Sequence, residues 1–199
     1  MPATASLRDS KRQQTRERLE RTALRLFAAH GFDNVTVEDV CREAHVGPAT
    51  FYRHFGAKEE VVFAYRAGFD EALQAAIRAA DGEATRHEQL PQILRAFAGH
   101  LEAHQASLAL RDSIVLGHEG LMRRTIAVQR DVETRLASGL AELRGLTEPD
   151  DAVLAEAAVG VVVLRVAVRS WRAGRSNSLP AATEAAYAEV RRVFDVDGT

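Results

Sequence analysis

The stretch that decides the fold is Val35-Thr-Val-Glu-Asp-Val-Cys-Arg-Glu-Ala-His-Val-Gly-Pro-Ala-Thr-Phe-Tyr-Arg-His-Phe55. It opens with a helix start, because Thr36 is an N-cap residue and Asp39 stands at the third helical position. After a break it contains a second start, in which Gly47 is the N-cap and Pro48 is the first helical residue. The stretch therefore predicts two short helices joined by a tight turn, which is a helix-turn-helix.

Apolar residues recur at helical spacing along the rest of the chain, and no alternating β-branched run predicts a strand. We predict an all-α protein of about nine helices. The first helix covers about Ser10 to His30 and ends at Gly31, after an arm of residues 1–9 that we expect to be disordered. The helices after the helix-turn-helix are predicted at about Lys58–Ala80, Leu90–Ser107, Leu110–Leu116, Glu119–Leu143, Pro149–Ala173 and Pro180–Phe194.

The composition excludes several classes of protein. The 199 residues carry a formal net charge of −2, and a single cysteine cannot form an internal disulfide bond, unlike a stapled secreted scaffold. The longest apolar stretch, Ala157–Leu164, is far shorter than the roughly 18–20 residues that span a bilayer. The first residues also lack the apolar segment of a signal peptide. We therefore expect a cytoplasmic protein with no membrane partner.

The charge is unevenly distributed. Residues 1–27 contain seven basic and three acidic residues, although the whole chain is weakly acidic. A basic arm of this kind is typical of nucleic-acid binding, and it is equally compatible with a solvated, arginine-rich helix face.

Residues 15–62 resemble the TetR family of one-component transcriptional regulators. The resemblance lies in the order of Leu-Phe, Gly-Phe, Thr-Val, Ala-x-Val and Thr-Phe-Tyr-x-His-Phe along this segment. Two positions depart from the family pattern, since His45 stands where glycine is usual and Ala57 where a capping serine is common. Histidine tolerates the left-handed backbone region better than most residues, so His45 is compatible with the turn.

The resemblance implies a role for each residue of the helix-turn-helix. Thr36 would offer its hydroxyl and amide to a phosphate, Arg53 would read a guanine, and Lys58 would neutralise a phosphate. Phe51 and Phe55 would belong to the core. The full set of candidate DNA-binding residues is Lys11, Arg12, Arg16, Thr36, Ala49, Thr50, Tyr52, Arg53, His54 and Lys58.

We expect a DNA-binding domain at residues 1–60 and a helical ligand-binding and dimerisation domain at residues 61–199, with the Lys58–Ala80 helix as the pivot. The resemblance implies a homodimeric repressor that binds a palindromic DNA operator and is released by a small-molecule effector. An alternative is a helical dimer that binds a ligand or a protein and does not use DNA. Binding to duplex DNA that is insensitive to salt would favour this alternative.

The predicted Pro149–Ala173 helix is apolar on two faces, so both must be covered. We assign one face to the protein's own core and the other to a second copy, because small residues on it allow close approach. Coverage of both faces within one chain is the alternative. The candidate dimer-interface residues are Val153, Ala157, Gly160, Leu164, Ala167, Val190 and Phe194.

Polar side chains interrupt apolar helix faces in the second half of the chain, as His104, Thr125 and Gln129 do. Such groups either find partners in a packed core or line a cavity. The helix pattern is similar to that of family members that sense acyl-CoA-like ligands. The candidate ligand-pocket residues are Phe97, His100, His104, Met122, Thr125, Gln129, Arg165, Arg169 and Trp171.

Motifs for catalysis do not occur in the sequence. His100 and His104 lie one helical turn apart, but the glutamate between them does not complete the His-Glu-x-x-His pattern of a zinc peptidase. Nucleophile elbows and glycine-rich phosphate loops are missing as well. We predict no enzyme activity, no metal site and no cofactor.

Overall fold

The computed structural model describes residues 3–80, 82 and 84–194, with the side chains of residues 3–7, 86 and 194 outside the description. The described residues form ten helices and no strand, which confirms the all-α prediction. The first helix begins at residue 3, within the arm that was expected to be disordered. The helices are α1 (Ala3–His30), α2 (Val37–Glu43), α3 (Pro48–Phe55), α4 (Lys58–Val62), α5 (Arg66–Ala79), α6 (Arg86–Ala103), α7 (Gln105–Leu116), α8 (Glu119–Leu143), α9 (Asp151–Arg172) and α10 (Leu179–Phe194).

The chain folds into two compact units. The first unit contains the described residues up to Arg66 together with Ala106–Arg124. The second contains Ala67–Gln105 and the described residues from Thr125 onward. The predicted domains divide the chain once, whereas the first unit takes in a segment from the middle of the chain, so α5, α7 and α8 each contribute residues to both units.

The core of the first unit is built by the apolar faces of its first four helices. α1 packs against α2 and α4, and α2 and α4 each pack against α3. This arrangement is the three-helix helix-turn-helix, with α4 packed against α1 and α3. The residues that fill this core include Leu19, Ala23, Phe27, Val40, Cys41, Phe51, Phe55, Val61 and Val62.

The predicted helix from Lys58 to Ala80 is interrupted in the structure. α4 ends at Val62, and a turn at residues 63–65 separates it from α5. Phe63 is buried there, and the carbonyl oxygens of Val61 and Val62 accept hydrogen bonds from the Arg111 side chain. The prediction of one continuous helix was wrong, because the chain turns after α4 and a side chain of α7 donates to the last two carbonyl groups of α4.

α6 begins earlier than predicted. Thr85 is its N-cap and forms a capping box with Glu88, so the helix starts at Arg86 and Pro91 lies inside it. Proline lacks the N–H that would bond to the carbonyl group four residues before it. That carbonyl belongs to His87, and the Tyr187 hydroxyl lies 3.5 Å from its oxygen.

In the second unit α9 packs against α10 and α6. The stripe of α9 that was predicted to meet a second copy is buried in this unit: Val153, Ala157 and Ala167 are completely inaccessible. A Cβ atom on Gly160 would lie 2.8 Å from Leu136 Cδ2, so the small residues allow close packing within the chain. The predicted interface at Val153, Ala157, Gly160, Leu164 and Ala167 is therefore wrong, while Val190 is half-buried and the Phe194 side chain lies outside the described residues.

The opposite face of α9 carries exposed apolar side chains. Leu154, Val162 and Val166 are 48%, 44% and 48% exposed, and their spacing of eight and four residues places them on one side of the helix. We call these three residues the outer stripe of α9. In the part of the chain that the structure describes, no helix has the length and apolar character needed to cross a membrane.

Candidate nucleic-acid interface

The turn of the helix-turn-helix has the local geometry that the sequence predicts. His45 has a φ of +54°, in the left-handed region, and its backbone lets the Val46 N–H reach the Cys41 carbonyl oxygen at 3.0 Å. Gly47 is the extended N-cap of α3, and Pro48 is its first residue. The turn thus orients α3 relative to α2 through backbone hydrogen bonds and a single strained residue.

α3 has an inner and an outer face. Phe51 and Phe55 are buried in the core, as predicted, and they hold the helix in place. Tyr52 is 49% exposed on the outer side, next to Arg53. The remaining predicted residues of this helix follow the same division, with Ala49 exposed and Thr50 and His54 half-buried.

Basic side chains of α1 lie beside the end of α3. Arg16 donates to the His54 carbonyl oxygen at 3.3 Å, and its guanidinium lies 5.1 Å from the Phe55 ring centroid. Partial burial lowers the pKa of His54, and the nearby charges of Arg53, Arg12 and Arg16 lower it further. The cluster of like charges indicates a site that favours an anion.

Thr36 caps α2 together with Asp39, as the sequence predicts. Its hydroxyl accepts from the Asp39 N–H at 3.1 Å and donates to the Asp39 carboxylate at 2.6 Å. Its own N–H donates to the same carboxylate at 3.0 Å, and these hydrogen bonds lower the pKa of Asp39. Both groups that the resemblance assigned to a phosphate are therefore engaged in capping α2.

Lys58 is also engaged within the first unit. Its Nζ donates to the carbonyl oxygens of Phe32 at 2.8 Å and Val35 at 3.0 Å, and it lies 4.1 Å from the Phe32 ring centroid. The half-buried ammonium group therefore stabilises the loop that joins α1 to α2. This loop ends at Thr36, so Lys58 acts on the start of α2 through the backbone.

Three residues from the segment 106–124 pack against the other residues of the first unit. Sequence reasoning predicted none of these contacts. Arg111 is 2% exposed, and Arg124 pairs with Glu60 and lies 5.3 Å from the Phe63 ring centroid. His118 packs edge-on against the Phe32 ring. Only Arg111 carried a signal in the sequence, as a charge between apolar residues of a short helix.

Three of the nine predicted ligand-pocket residues form a cluster with Phe69 in the second unit. Phe97 is buried, and the Phe69 ring lies 5.4 Å from His100 and 6.3 Å from His104 between ring centroids. The rings of the two histidines are 4.3 Å apart, and partial burial together with His104 lowers the pKa of His100. We call Phe69, Phe97, His100 and His104 the aromatic cluster.

The other predicted pocket residues are not part of this cluster. Met122 belongs to the first unit and is 43% exposed. Thr125 and Trp171 are half-buried in the second unit, and Gln129, Arg165 and Arg169 are exposed there.

A cavity of about 470 Å³ opens between α5 and α8. None of the nine predicted pocket residues lines it. Most of its lining residues have polar side chains, and the lining consists of Gln74, Ile77, Arg78, Thr134, Arg135, Ser138, Gly139 and Glu142.

Comparison with known proteins agrees with this arrangement. Residues 21–65, which include α2 and α3, match the family model described as bacterial regulatory proteins, tetR family. The chain is 31% identical over 160 residues to the HTH-type transcriptional regulator TcmR of Streptomyces glaucescens, covering 75% of this chain and 69% of TcmR. The chain belongs to the TetR family of transcriptional regulators. It is thus a DNA-binding regulator, and its helix-turn-helix is the DNA-binding element of a TetR-family protein.

Solved structures extend the likeness to the TetR fold as a whole. The fatty acid degradation regulator FadR of Bacillus halodurans has a TM-score of 0.58 at 19% identity, covering 87% of this chain and 93% of FadR. The regulator SmeT, in complex with triclosan, has a TM-score of 0.58 at 21% identity, covering 88% of this chain and 91% of SmeT. At these identities the two structures show a shared fold only.

Proposed function

We propose that this protein is a cytoplasmic, homodimeric repressor that binds a palindromic operator and leaves it when a small molecule binds. The observation that carries the proposal is the two-faced α3. Its inner face is held in the core by Phe51 and Phe55, and its outer face presents Tyr52 and Arg53 to the surroundings. A helix exposed in this way is suited to the major groove.

The outer face of α3 supplies the contacts with the bases. Arg53 offers the planar donor pair that recognises a guanine, and Ala49 offers a methyl group that matches a thymine methyl. Tyr52, Lys11 and Arg12 contact the sugar-phosphate backbone, because an exposed phenol and two exposed cations add affinity without reading the sequence.

Lys58 and Thr36 support DNA binding indirectly. Lys58 stabilises the loop before α2 through two carbonyl groups, and Thr36 caps α2. We therefore assign the phosphate contacts to the exposed residues of α1 and α3 and not to these two side chains.

The outer stripe of α9 forms the dimer interface. Leu154, Val162 and Val166 are apolar and exposed on one side of a long helix, which is what the core of a two-fold interface requires. A second copy placed there brings two α3 helices to one operator, where half-sites lie roughly 34–36 Å apart.

The effector binds at the aromatic cluster. Aromatic rings packed edge to face, together with two imidazole groups, favour a ligand that has an apolar or aromatic body and a hydrogen-bonding group. FadR is named for fatty acid degradation and SmeT is seen with triclosan, and both names are compatible with an apolar effector for this fold. A ligand that prefers a conformation with another spacing of the α3 helices lowers operator affinity.

The experiment that tests the proposal measures DNA binding by the wild type and by two arginine variants. A duplex is first selected by the wild type from a random-sequence library, and its dissociation constant is measured at two salt concentrations. We expect Arg53→Ala to lose tenfold or more in affinity for this duplex. Arg123→Ala is the matched control, because Arg123 is an exposed arginine paired with Glu119 outside α3.

Each result decides the proposal. Salt-dependent, selective binding that Arg53→Ala weakens and Arg123→Ala leaves unchanged supports the repressor. Equal binding of selected and random duplex, or binding that salt does not change, contradicts it and favours a dimeric module that does not use DNA.

A further inference from the structure

A buried guanidinium group lies at the centre of the first unit. Arg111 is a residue of α7 and is 2% exposed. A buried charge is costly unless its donors are bonded and its charge is matched. Burial lowers the pKa of Arg111, and Glu20 opposes this change. Burial of this guanidinium group therefore costs free energy, and its bonded partners offset that cost.

Every nitrogen of this guanidinium has a partner. Nη1 donates to the carbonyl oxygens of Val61 at 2.9 Å and Val62 at 2.6 Å, and Nε donates to Ser107 Oγ at 3.2 Å. Nη2 pairs with the carboxylate of Glu20. The Cζ atom of the group lies over the Tyr65 ring, 5.1 Å from its centroid.

These partners come from different helices. Glu20 belongs to α1, one turn beyond Arg16, which bonds to the end of α3. Val61 and Val62 are the last residues of α4, at the point where the chain breaks before α5. The Arg111 side chain of α7 therefore joins the end of α4 to α1, the helix that carries the basic residues near the N-terminus.

Two other contacts hold the same segment to the first unit. His118 Nδ1 accepts from the Leu121 N–H at 3.1 Å, and its Nε2 lies 3.0 Å from Asp33 Oδ1 in the loop before α2. Arg124 pairs with Glu60 on α4. The segment 106–124 thus contacts α1, α4 and the loop between α1 and α2.

We propose that Arg111 is a positioning residue for DNA binding, which holds α1 and α4 in the arrangement that presents α3 to the operator. The inference rests on the proposed function, and it adds that residues 106–124 are part of the DNA-reading unit. Arg111 itself contacts no base or phosphate. It acts through Glu20 and the two carbonyl groups.

The test separates positioning from a contribution to stability alone. Arg111→Met keeps much of the side-chain volume but removes the guanidinium donor from Glu20 and from the Val61 and Val62 carbonyl oxygens. Arg144→Met is the matched control in the second unit, where Arg144 is 6% exposed and donates to Glu156 and Gln89. Both variants are expected to melt at lower temperatures than the wild type.

Dissociation constants for the selected duplex are measured at two salt concentrations and well below each melting temperature. We expect Arg111→Met to bind at least tenfold more weakly with a shallower salt dependence, because fewer phosphates are reached at once. Arg144→Met is expected to bind like the wild type. Arg111→Lys should recover part of the affinity, since an ammonium group can reach the carbonyl oxygens but cannot bond to all partners.

Two outcomes overturn the inference. One is a folded Arg111→Met that binds with wild-type affinity and salt dependence. The other is an equal loss of affinity in Arg144→Met, which would assign the effect to general destabilisation. If Arg111→Met does not fold, Glu20→Gln replaces it, with a several-fold loss of affinity expected and unchanged affinity overturning the inference. A wild type that selects no duplex contradicts the proposed function itself, which is a separate result.

Discussion

α3 and α9 each have a buried face and an exposed face, and the two helices differ in which residues cover those faces. On α3 the buried residues are Phe51 and Phe55, and the exposed ones include Tyr52 and Arg53, as predicted. On α9 the predicted assignment is reversed, because the stripe that carries the small residues faces the chain's own core and Leu154, Val162 and Val166 face outward. Polar residues mark the exposed face of α3. Both faces of α9 are apolar, so polarity does not distinguish its exposed face from its buried one.

The reason lies in the neighbours of α9. Gly160 is close to Leu136, Leu90 and Leu94, so the small stripe receives side chains from α8 and α6. The same small residues would equally allow a helix of a second copy to approach closely. Sequence alone does not say which helix approaches, and this is decided by how the second unit packs.

The largest expected effect tests the outer stripe of α9. Val162→Glu combined with Val166→Glu places two like charges in the proposed interface, and we expect dimer affinity to fall by about 3 kcal/mol or more, at least 100-fold. Sedimentation analysis measures the dimer, and circular dichroism checks that the helices remain. Leu116→Glu is the control, because Leu116 is an exposed apolar residue of the first unit. A double variant that stays dimeric moves the interface elsewhere.

Gly160→Val tests the buried stripe of α9, which faces α6 and α8. The added atoms meet Leu136 and Leu90, so we expect a loss of about 1–3 kcal/mol in the free energy of unfolding without dissociation of the dimer. Gly99→Ala on α6 is the matched control, because no atom lies within 4 Å of its added Cβ. It should raise stability by about 0.5–1 kcal/mol. Chemical denaturation measures both, and equal effects would contradict the close approach at Gly160.

The turn before α3 is tested by His45→Gly. The residue has a φ of +54°, which costs an L-residue more than it costs glycine, so we expect a gain of about 0.5–1 kcal/mol in stability. His45→Ala keeps the unfavourable backbone and removes the imidazole, and it should give no gain. A loss of stability in His45→Gly would mean that the imidazole ring contributes more than the backbone strain costs.

The smallest expected effect is the pH dependence of the free energy of unfolding. It is compared at one histidine from each unit, His54 and His100. The pKa values of His54 and His100 are lowered below the ordinary 6.5, so the unfolded chain binds more protons near and below that pH. Stability is therefore fully present above pH 6.5 and falls as the pH drops toward the lowered folded values. Thermal melts at several pH values measure this, with His54→Asn and His100→Gln each reducing the dependence.

NMR titration of the imidazole protons sharpens the same comparison. Phosphates beside His54 favour its charged form, so the pKa of His54 should rise when the selected duplex binds and that of His100 should not. A rise at both residues, or at neither, would contradict the placement of His54 at the DNA surface.

The candidate site was predictable where it depends on local chemistry. The cap at Thr36, the Gly47-Pro48 start and the left-handed His45 are each set by neighbours in sequence, and the structure has all three. The phosphate role that the resemblance implies for Thr36 is not set by local chemistry in the same way, because the Thr36 hydroxyl and N–H form the capping box with Asp39.

The sequence by itself determined the all-α fold, the helix-turn-helix and the outer face of α3, because caps, turns and polarity act over a few residues. Only the tertiary structure decided the partners of Lys58 and Arg111, the break after α4 and the faces of α9. Long charged side chains and small apolar stripes are compatible with several neighbours. Which neighbour they meet depends on segments that are distant in the chain, as residues 106–124 are from α1 and α4.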